Sequence, residues 1–251
     1  MKIAWMYPDT LFLHGERGNA LALERYAKEL GADTVVDKID FETKDFDPAA
    51  YDVMYFGAGE ISSFEAIIKD MESYKDALKA FIEAGKPLIA TGTTMAMFGK
   101  SIKRVDGSTV ECAGFIPVTA TEREYVYGDD LQIETDYNGQ HMEIVGNQIQ
   151  MINIEFGEEG DFKGFGKVVY GMGNNGSDGI EGVMYKNAVF SNLLGPVLIC
   201  NPWFTCGILR AAASVSGEKL AEKDPDFELE MKSLDKKKAF IANKKPGSFG
   251  K

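Results

Sequence analysis

The sequence predicts an α/β fold with a mixed, mostly parallel central sheet and an antiparallel β extension. Two observations carry this. Up to Gly99, short apolar runs alternate with segments whose apolar residues recur at helical spacing. After Gly99, strand-like runs follow one another with turn residues between them. A length of 251 residues with 45% hydrophobic content is enough to bury a sizeable core.

Residues 2–7 form an apolar run stopped by Pro8-Asp9, which reads as a first strand. Leu23, Tyr26, Ala27 and Leu30 recur at helical spacing, and Gly31 ends that helix. Residues 34–39 and 53–56 read as buried strands. One long helix is expected next, because Phe64, Ile67, Ile68, Met71, Leu78, Phe81 and Ile82 make a single apolar stripe. Ser63 is its expected cap and Gly85 its end. Residues 87–90 give another strand, so the sheet here is parallel and covered on both faces.

Further on, Asp106-Gly107 signals a hairpin. Residues 115–120, 131–135, 142–145 and 148–154 read as separate, mostly antiparallel strands. Residues 168–170, 182–185 and 188–193 continue the β content, and 202–213 look helical. The division expected is one domain over 1–213 and a helical, Lys-rich tail over 214–251. In that tail Phe227, Met231, Leu234 and Ile241 are roughly helix-spaced. Lys232, Lys236, Lys237, Lys238, Lys244, Lys245 and Lys251 are set against Asp235 alone. It reads either as a solvated terminal helix or as a basic segment that docks on an acidic partner surface.

The formal net charge of −12 argues against nucleic acid, since an acidic surface repels phosphate. No run reaches the roughly 18–20 apolar residues of a membrane helix. The first residues are too short for a signal-peptide core. The three cysteines lack metal-type spacing, so a reducing cytoplasm is the expected compartment and neither metal nor cofactor is expected. There are two histidines, which limits any mechanism that needs an imidazole.

Four segments occur in a telling order. The first is Tyr7-Pro8-Asp9 with Gly15-Glu16-Arg17-Gly18-Asn19. The second is Phe56-Gly57-Ala58-Gly59-Glu60, and the third runs from Pro87-Leu88 through Thr91-Gly92-Thr93-Thr94 to Gly99. The fourth is Gly171-Met172-Gly173-Asn174-Asn175 with Glu181-Gly182, followed by Leu193-Leu194-Gly195-Pro196. Together they resemble the class I glutamine amidotransferases of the cobyric acid synthase type. Within that group the sequence looks most like the glutaminase subunit of lipid II isoglutaminyl synthase, which works beside a Mur-ligase-like subunit. The resemblance implies a three-layer, flavodoxin-like fold. It also implies a chemistry in which a cysteine at a strand-to-helix elbow attacks the glutamine amide. A histidine before a Gly-Pro acts as base, and backbone N–H groups hold the oxyanion.

This sequence departs from that pattern at both essential positions. The elbow of such enzymes reads about Cys-Gly-Gly-x-Gln; aligned on Pro87-Leu88 and Gly99, the nucleophile position is Gly92, followed by Thr93 and Thr94, with Ala96 at the glutamine position. Aligned on Gly195-Pro196, the histidine position is Leu194. An elbow holds its apex near positive φ, where glycine is unstrained. Loss of one catalytic member costs on the order of 10⁴–10⁶ in rate, so a catalytically degenerate glutaminase is expected. It would act as a binding or regulatory subunit of a Mur-ligase-like or cobyrinate-synthase-like amidating partner, with a small carboxylate or amide as possible ligand. The alternative is an active amidotransferase or hydrolase with another nucleophile, either Thr93 or one of Cys112, Cys200 and Cys206 beside His14 or His141. Gly57, Ala58 and Gly59 either shape an oxyanion loop or form a tight turn. Arg123 and Glu155 either face a ligand or make surface ion pairs. Asn174, Asn175, Asp178 and Glu181 form a polar loop that is either architectural or part of the pocket.

Overall fold

In the computed structural model, residues 1–157 and 160–244 are described. In chain order the elements are β1 (Lys2–Met6), α1 (Arg17–Glu29), β2 (Val35–Ile39), β3 (Val53–Phe56), α2 (Phe64–Met71), α3 (Lys75–Glu83) and β4 (Leu88–Thr91). Then follow β5 (Ser101–Lys103), β6 (Thr109–Glu111), β7 (Val118–Tyr137), β8 (Gln140–Phe156), β9 (Gly166–Tyr170), β10 (Ile180–Glu181), β11 (Val183–Tyr185) and β12 (Ala188–Ser191). Among the described residues α4 (Val197–Cys200), α5 (Pro202–Ser216) and α6 (Glu228–Ala242) come last.

The central sheet has the order β11-β12-β4-β3-β1-β2. It is parallel except for the antiparallel pair β11–β12. Alternation along its strands sends side chains to two cores. Ala4, Met6, Met54, Phe56, Leu88 and Ala90 pack with α2 and α3 residues such as Phe64 and Leu78. Ile3, Trp5, Val53, Tyr55 and Ile89 pack instead with α1 and α5 residues such as Leu23 and Leu209. This is the mixed, mostly parallel α/β sheet expected from the sequence, with a second, mostly antiparallel sheet as its extension.

The extension corrects the reading of several short strands. β7 and β8 are single strands of 20 and 17 residues, paired as one hairpin. Its turn is Asn138-Gly139, both at positive φ. The base of the ribbon, with Val118, Ala120, Ile152 and Ile154, packs in the α2–α3 core. Its far end, with Leu131, Ile133 and Ile144, packs in the α1–α5 core. A register shift between Glu122 and Tyr127 bends the ribbon between the two. The open edge of β8 is closed by side chains: Asn201 bonds both the N–H and the C=O of Val145 at 3.0 Å, and Trp203 Nε1 donates to Glu143 O at 2.9 Å. His141 lies in β8 and is exposed, with Nδ1 3.1 Å from Asp136.

Three further expectations change. The single helix from Ser63 is two helices, α2 and α3, joined by a 3-10 turn over Glu72–Tyr74. Tyr74 leaves helical geometry and brings its hydroxyl onto that of Tyr7. The apolar stripe keeps its phase across the break, so spacing alone does not reveal it. Ser63 does not cap; its hydroxyl donates to Glu60 O at 2.7 Å. The strand at residues 34–39 begins at Val35 and is the sheet's edge, not a buried strand, with Val35 50% exposed.

The described part of the Lys-rich tail is packed on the chain's own ribbon through one face. Leu234 and Ile241 of α6 are buried against Val145, Tyr170 and Trp203. Lys237, Lys238 and Lys244 pair with carboxylates of the β7–β8 ribbon, so the acidic surface that receives these three belongs to the same chain, while Lys232 pairs with Glu228 and Lys236 is exposed. Lys245 and Lys251 lie outside the described residues.

Candidate functional site

The strand-to-helix elbow forms where the sequence places it. β4 ends at Thr91 and the chain turns at Gly92, with φ +63°, into a 3-10 turn over Gly92–Phe98 rather than an α-helix. A Cβ added to Gly92 would stand 2.8 Å from Leu194 Cδ2 and 2.8 Å from Ala58 Cβ. Gly92 and Leu194 therefore meet face to face, although 101 residues of chain lie between them. Leu194 is buried, and its N–H and C=O both bond Asn147 of β8, at 2.8 and 3.0 Å. Space and backbone angle thus both select glycine at position 92.

Gly57, Ala58 and Gly59 supply the other wall. A Cβ on Gly57 would meet Leu11 O at 2.5 Å, and one on Gly59 would meet Leu11 Cδ2 at 2.3 Å. These glycines admit the close approach of the loop after β1. The Gly59 N–H donates to Thr94 Oγ1 at 3.0 Å, so this candidate oxyanion donor is bonded inside the protein. Gly57, Ala58, Gly59, Gly92, Thr94 and Leu194 are thus brought together. Thr93, next to the apex, is half-buried.

Beneath the elbow lies Glu16, for which the sequence reading gave no role. Glu16 is fully buried. Its Oε2 accepts from Tyr55 Oη at 2.7 Å, from Asn19 Nδ2 at 2.9 Å, and from the Thr91 hydroxyl. The Gly195 N–H is near enough to favour the carboxylate, yet Oε1 makes no hydrogen bond of ordinary geometry. Burial pushes the Glu16 carboxyl above its usual range, and the three side-chain donors and Gly195 oppose that shift. The sequence held a signal: Asn19 stands one helical turn before Leu23 on the buried face of α1, a polar residue in an apolar stripe.

Asn174 and Glu181 of the polar loop are buried and bonded inside the protein, while Asp178 is exposed. Asn174 is buried; its Oδ1 accepts from Gly182 N at 2.8 Å and from Asn192 Nδ2 at 3.2 Å. Glu181 is also buried and accepts from Ser191 Oγ at 2.8 Å and Asn192 N at 2.7 Å. Both therefore brace the segment that leads into Leu194. Asn175 and Asp178 close the turn, with Asn175 Nδ2 2.8 Å from Asp178 Oδ2 and Asp178 Oδ1 accepting from Ile180 N at 2.8 Å. Arg123 donates to Asn153 Oδ1 at 2.8 Å and reaches Met172 Sδ at 3.3 Å, at the foot of this loop. Glu155 is exposed on β8, opposite Thr119.

The thiols do not pair with imidazoles. Cys112 Sγ donates to Val110 O at 3.6 Å, and Cys200 Sγ to Gly195 O at 3.3 Å. Burial pushes the Cys112 and Cys206 thiols up to about 12 and raises Cys200 as well, which disfavours thiolate. His14 is exposed at φ +59°, and partial burial lowers its pKa. Among the described residues, no group of three or more His, Cys, Asp and Glu is placed to hold a metal ion. Among them, too, no helix is long and apolar enough to cross a membrane.

Comparison with known proteins agrees with this fold. The CobB/CobQ-like glutamine amidotransferase domain matches residues 2–195, well over half of the chain. The lipid II isoglutaminyl synthase (glutamine-hydrolyzing) subunit GatD of Streptococcus pneumoniae is 28% identical over 203 residues, 80% of this chain and 76% of that protein. The GatD subunit of Staphylococcus aureus is 29% identical over 225 residues, 90% of this chain and 89% of that protein. Among solved structures, PurLQS from Thermotoga maritima superposes with a TM-score of 0.55 at 12% identity, over 86% of this chain and 96% of that one. A glutamine amidotransferase from the same organism gives 0.51 at 8% identity, over 96% and 93%. At such identities these two speak to the fold alone.

Proposed function

The chain belongs to the CobB/CobQ-like glutamine amidotransferase family, and from that premise we propose that it is a catalytically degenerate glutaminase of the lipid II amidation type. In this reading it serves in the cytoplasm as a binding or regulatory subunit of a Mur-ligase-like or cobyrinate-synthase-like amidating partner. The observation that carries the proposal is the packing of Leu194 against Gly92, which leaves 2.8 Å between a would-be Cβ and Leu194 Cδ2. A nucleophile and a base would have to occupy those positions; a leucine takes no proton and a glycine offers no attacking atom. The Gly59 N–H bonded to Thr94 supports the same reading, because an oxyanion hole needs a free donor. The GatD relatives, named as subunits of a glutamine-hydrolyzing synthase, supply the partner class.

The test is ammonia release from glutamine by the purified protein, alone and with a Mur-ligase-like subunit added. No release above the uncatalysed background is expected in either case. Release that survives alanine replacement of Cys112, Cys200 and Cys206 would overturn the proposal and point to Thr93. Release abolished by one of those replacements would overturn it in favour of that thiol.

A further inference from the structure

The C-terminal helix makes contacts that lead, in three steps, to the vacated elbow. α6 is fixed at its start by the core: Phe227 stacks edge-on against Tyr26 at 5.9 Å, and Tyr26 Oη donates to Glu230 at 3.2 Å. Its second half is held differently. Leu234 and Ile241, seven residues and two turns apart, are the buried side chains of α6, and beside them stand ion pairs made by its second half and by Lys244 just beyond its end, whose ammonium also lies over the Tyr170 ring. Lys237 lies 3.4 Å from Asp130, Lys244 lies 2.6 Å from Asp130 and also pairs with Asp129, and Lys238 pairs with Glu143. All of these side chains retain some exposure to solvent, so salt screens them.

One of these lysines, Lys237, reaches the site through a single residue. Lys237 Nζ donates to Asn147 Oδ1 at 3.0 Å, and Asn147 Nδ2 in turn lies 3.3 Å from Asp130. The Asn147 backbone bonds both polar groups of Leu194. A Cβ on Gly195 would meet Asn147 Oδ1 at 2.7 Å, so that amide is also pressed against the backbone beside Leu194. Leu194 then fills the space before Gly92. Thus the tail, the ribbon and the elbow share one chain of direct contacts, through Lys237, Asn147 and Leu194.

We infer that the second half of α6 is a salt-releasable strap that holds Asn147, and through it keeps Leu194 seated against Gly92. Release of the strap loosens the plug at the elbow while the central sheet stays folded. It also bares the acidic face of Asp129, Asp130 and Glu143, which a basic segment of another protein would then find vacant. The inference does not rest on the loss of glutaminase activity.

Hydrogen exchange on the full chain tests it, at about 0.05 M and about 1 M NaCl, without any substitution. At high salt the backbone amides of the second half of α6 and of Asn147 and Leu194 exchange faster together, by on the order of tenfold, while that of Tyr55 in β3 is unchanged. The triple variant K237Q/K238Q/K244Q gives the same pattern at low salt. K232Q, whose lysine pairs within the helix with Glu228, leaves it unaltered. Three results overturn the inference: α6 amides that ignore salt, α6 amides that respond while Leu194 does not, or equal acceleration throughout the sheet.

Discussion

Substituting Gly92 by alanine adds one methyl group at the tightest point of the elbow. Two costs are independent. At φ +63° a Cβ crowds its own backbone, which costs about 1–2 kcal/mol. The methyl also lies 2.8 Å from both Ala58 Cβ and Leu194 Cδ2, and overpacking of this kind costs about 1–3 kcal/mol. The sum for Gly92→Ala is about 2–5 kcal/mol of stability. Leu194 could give way only by changing rotamer, which its burial opposes, while two backbone hydrogen bonds to Asn147 hold its main chain in place. Ala58 has no rotamer to change. Leu194→Ala alone should cost about 2–5 kcal/mol for the cavity it leaves. In that background Gly92→Ala should cost about 1–2 kcal/mol less than in the parent, because one of the two clashes has gone. Urea unfolding followed by circular dichroism, with linear extrapolation of all four proteins, gives the cycle. Additive costs, within about 0.5 kcal/mol, or a neutral Gly92→Ala, would refute the claim that Leu194 and Gly92 are fitted to each other.

Two other outcomes follow from buried and ionic contacts. Asn174→Ala leaves the buried Gly182 N–H without its Asn174 acceptor and takes from Asn192 Nδ2 one of its two acceptors, Glu181 being the other, and should cost about 1–3 kcal/mol in urea unfolding; a change under about 0.5 kcal/mol contradicts the bracing role. Acid should release the α6 strap before the domain unfolds. Glu143 is held below its usual pKa by Lys238 and then Gln132, while Asp129, which burial alone would raise, is held below by Lys244 and the Tyr170 hydroxyl. A carboxylate depressed in the folded state contributes stability above its unfolded value, near 4, and that contribution fades as pH falls toward the folded value. In a Trp5→Phe variant, Trp203 emission should therefore be flat from about pH 7 to about 5 and shift red below about 4. Emission that changes only with global unfolding goes against this.

The ionic half of α6 gives the net charge a local meaning. The chain carries a formal −12, yet its last described helix is basic on one face. The ribbon supplies the matching carboxylates. A sequence-level charge count sees an acidic protein with a basic tail and cannot see that the two neutralise each other. Lys237 and Asn147 are 90 residues apart, and Lys244 and Asp129 are 115 apart. No local pattern encodes pairings at that separation.

What the sequence determined by itself was local. Alternating apolar runs and helical stripes gave the parallel sheet and its covering helices, because side-chain period is a property of the backbone. The resemblance of residues 87–99 to an amidotransferase elbow implied positive φ at Gly92, and Gly92 adopts it. Tertiary structure decided the rest. The break between α2 and α3 follows from Tyr74 reaching Tyr7, and the union of short strands into one ribbon from its packing in two cores. Glu16 becomes a buried carboxylate only because Asn19, Tyr55 and Thr91 converge on it from three elements. Likewise, Gly92 and Leu194 carried separate signals in the sequence, and only the fold sets one against the other at 2.8 Å, where each fixes what the other can be.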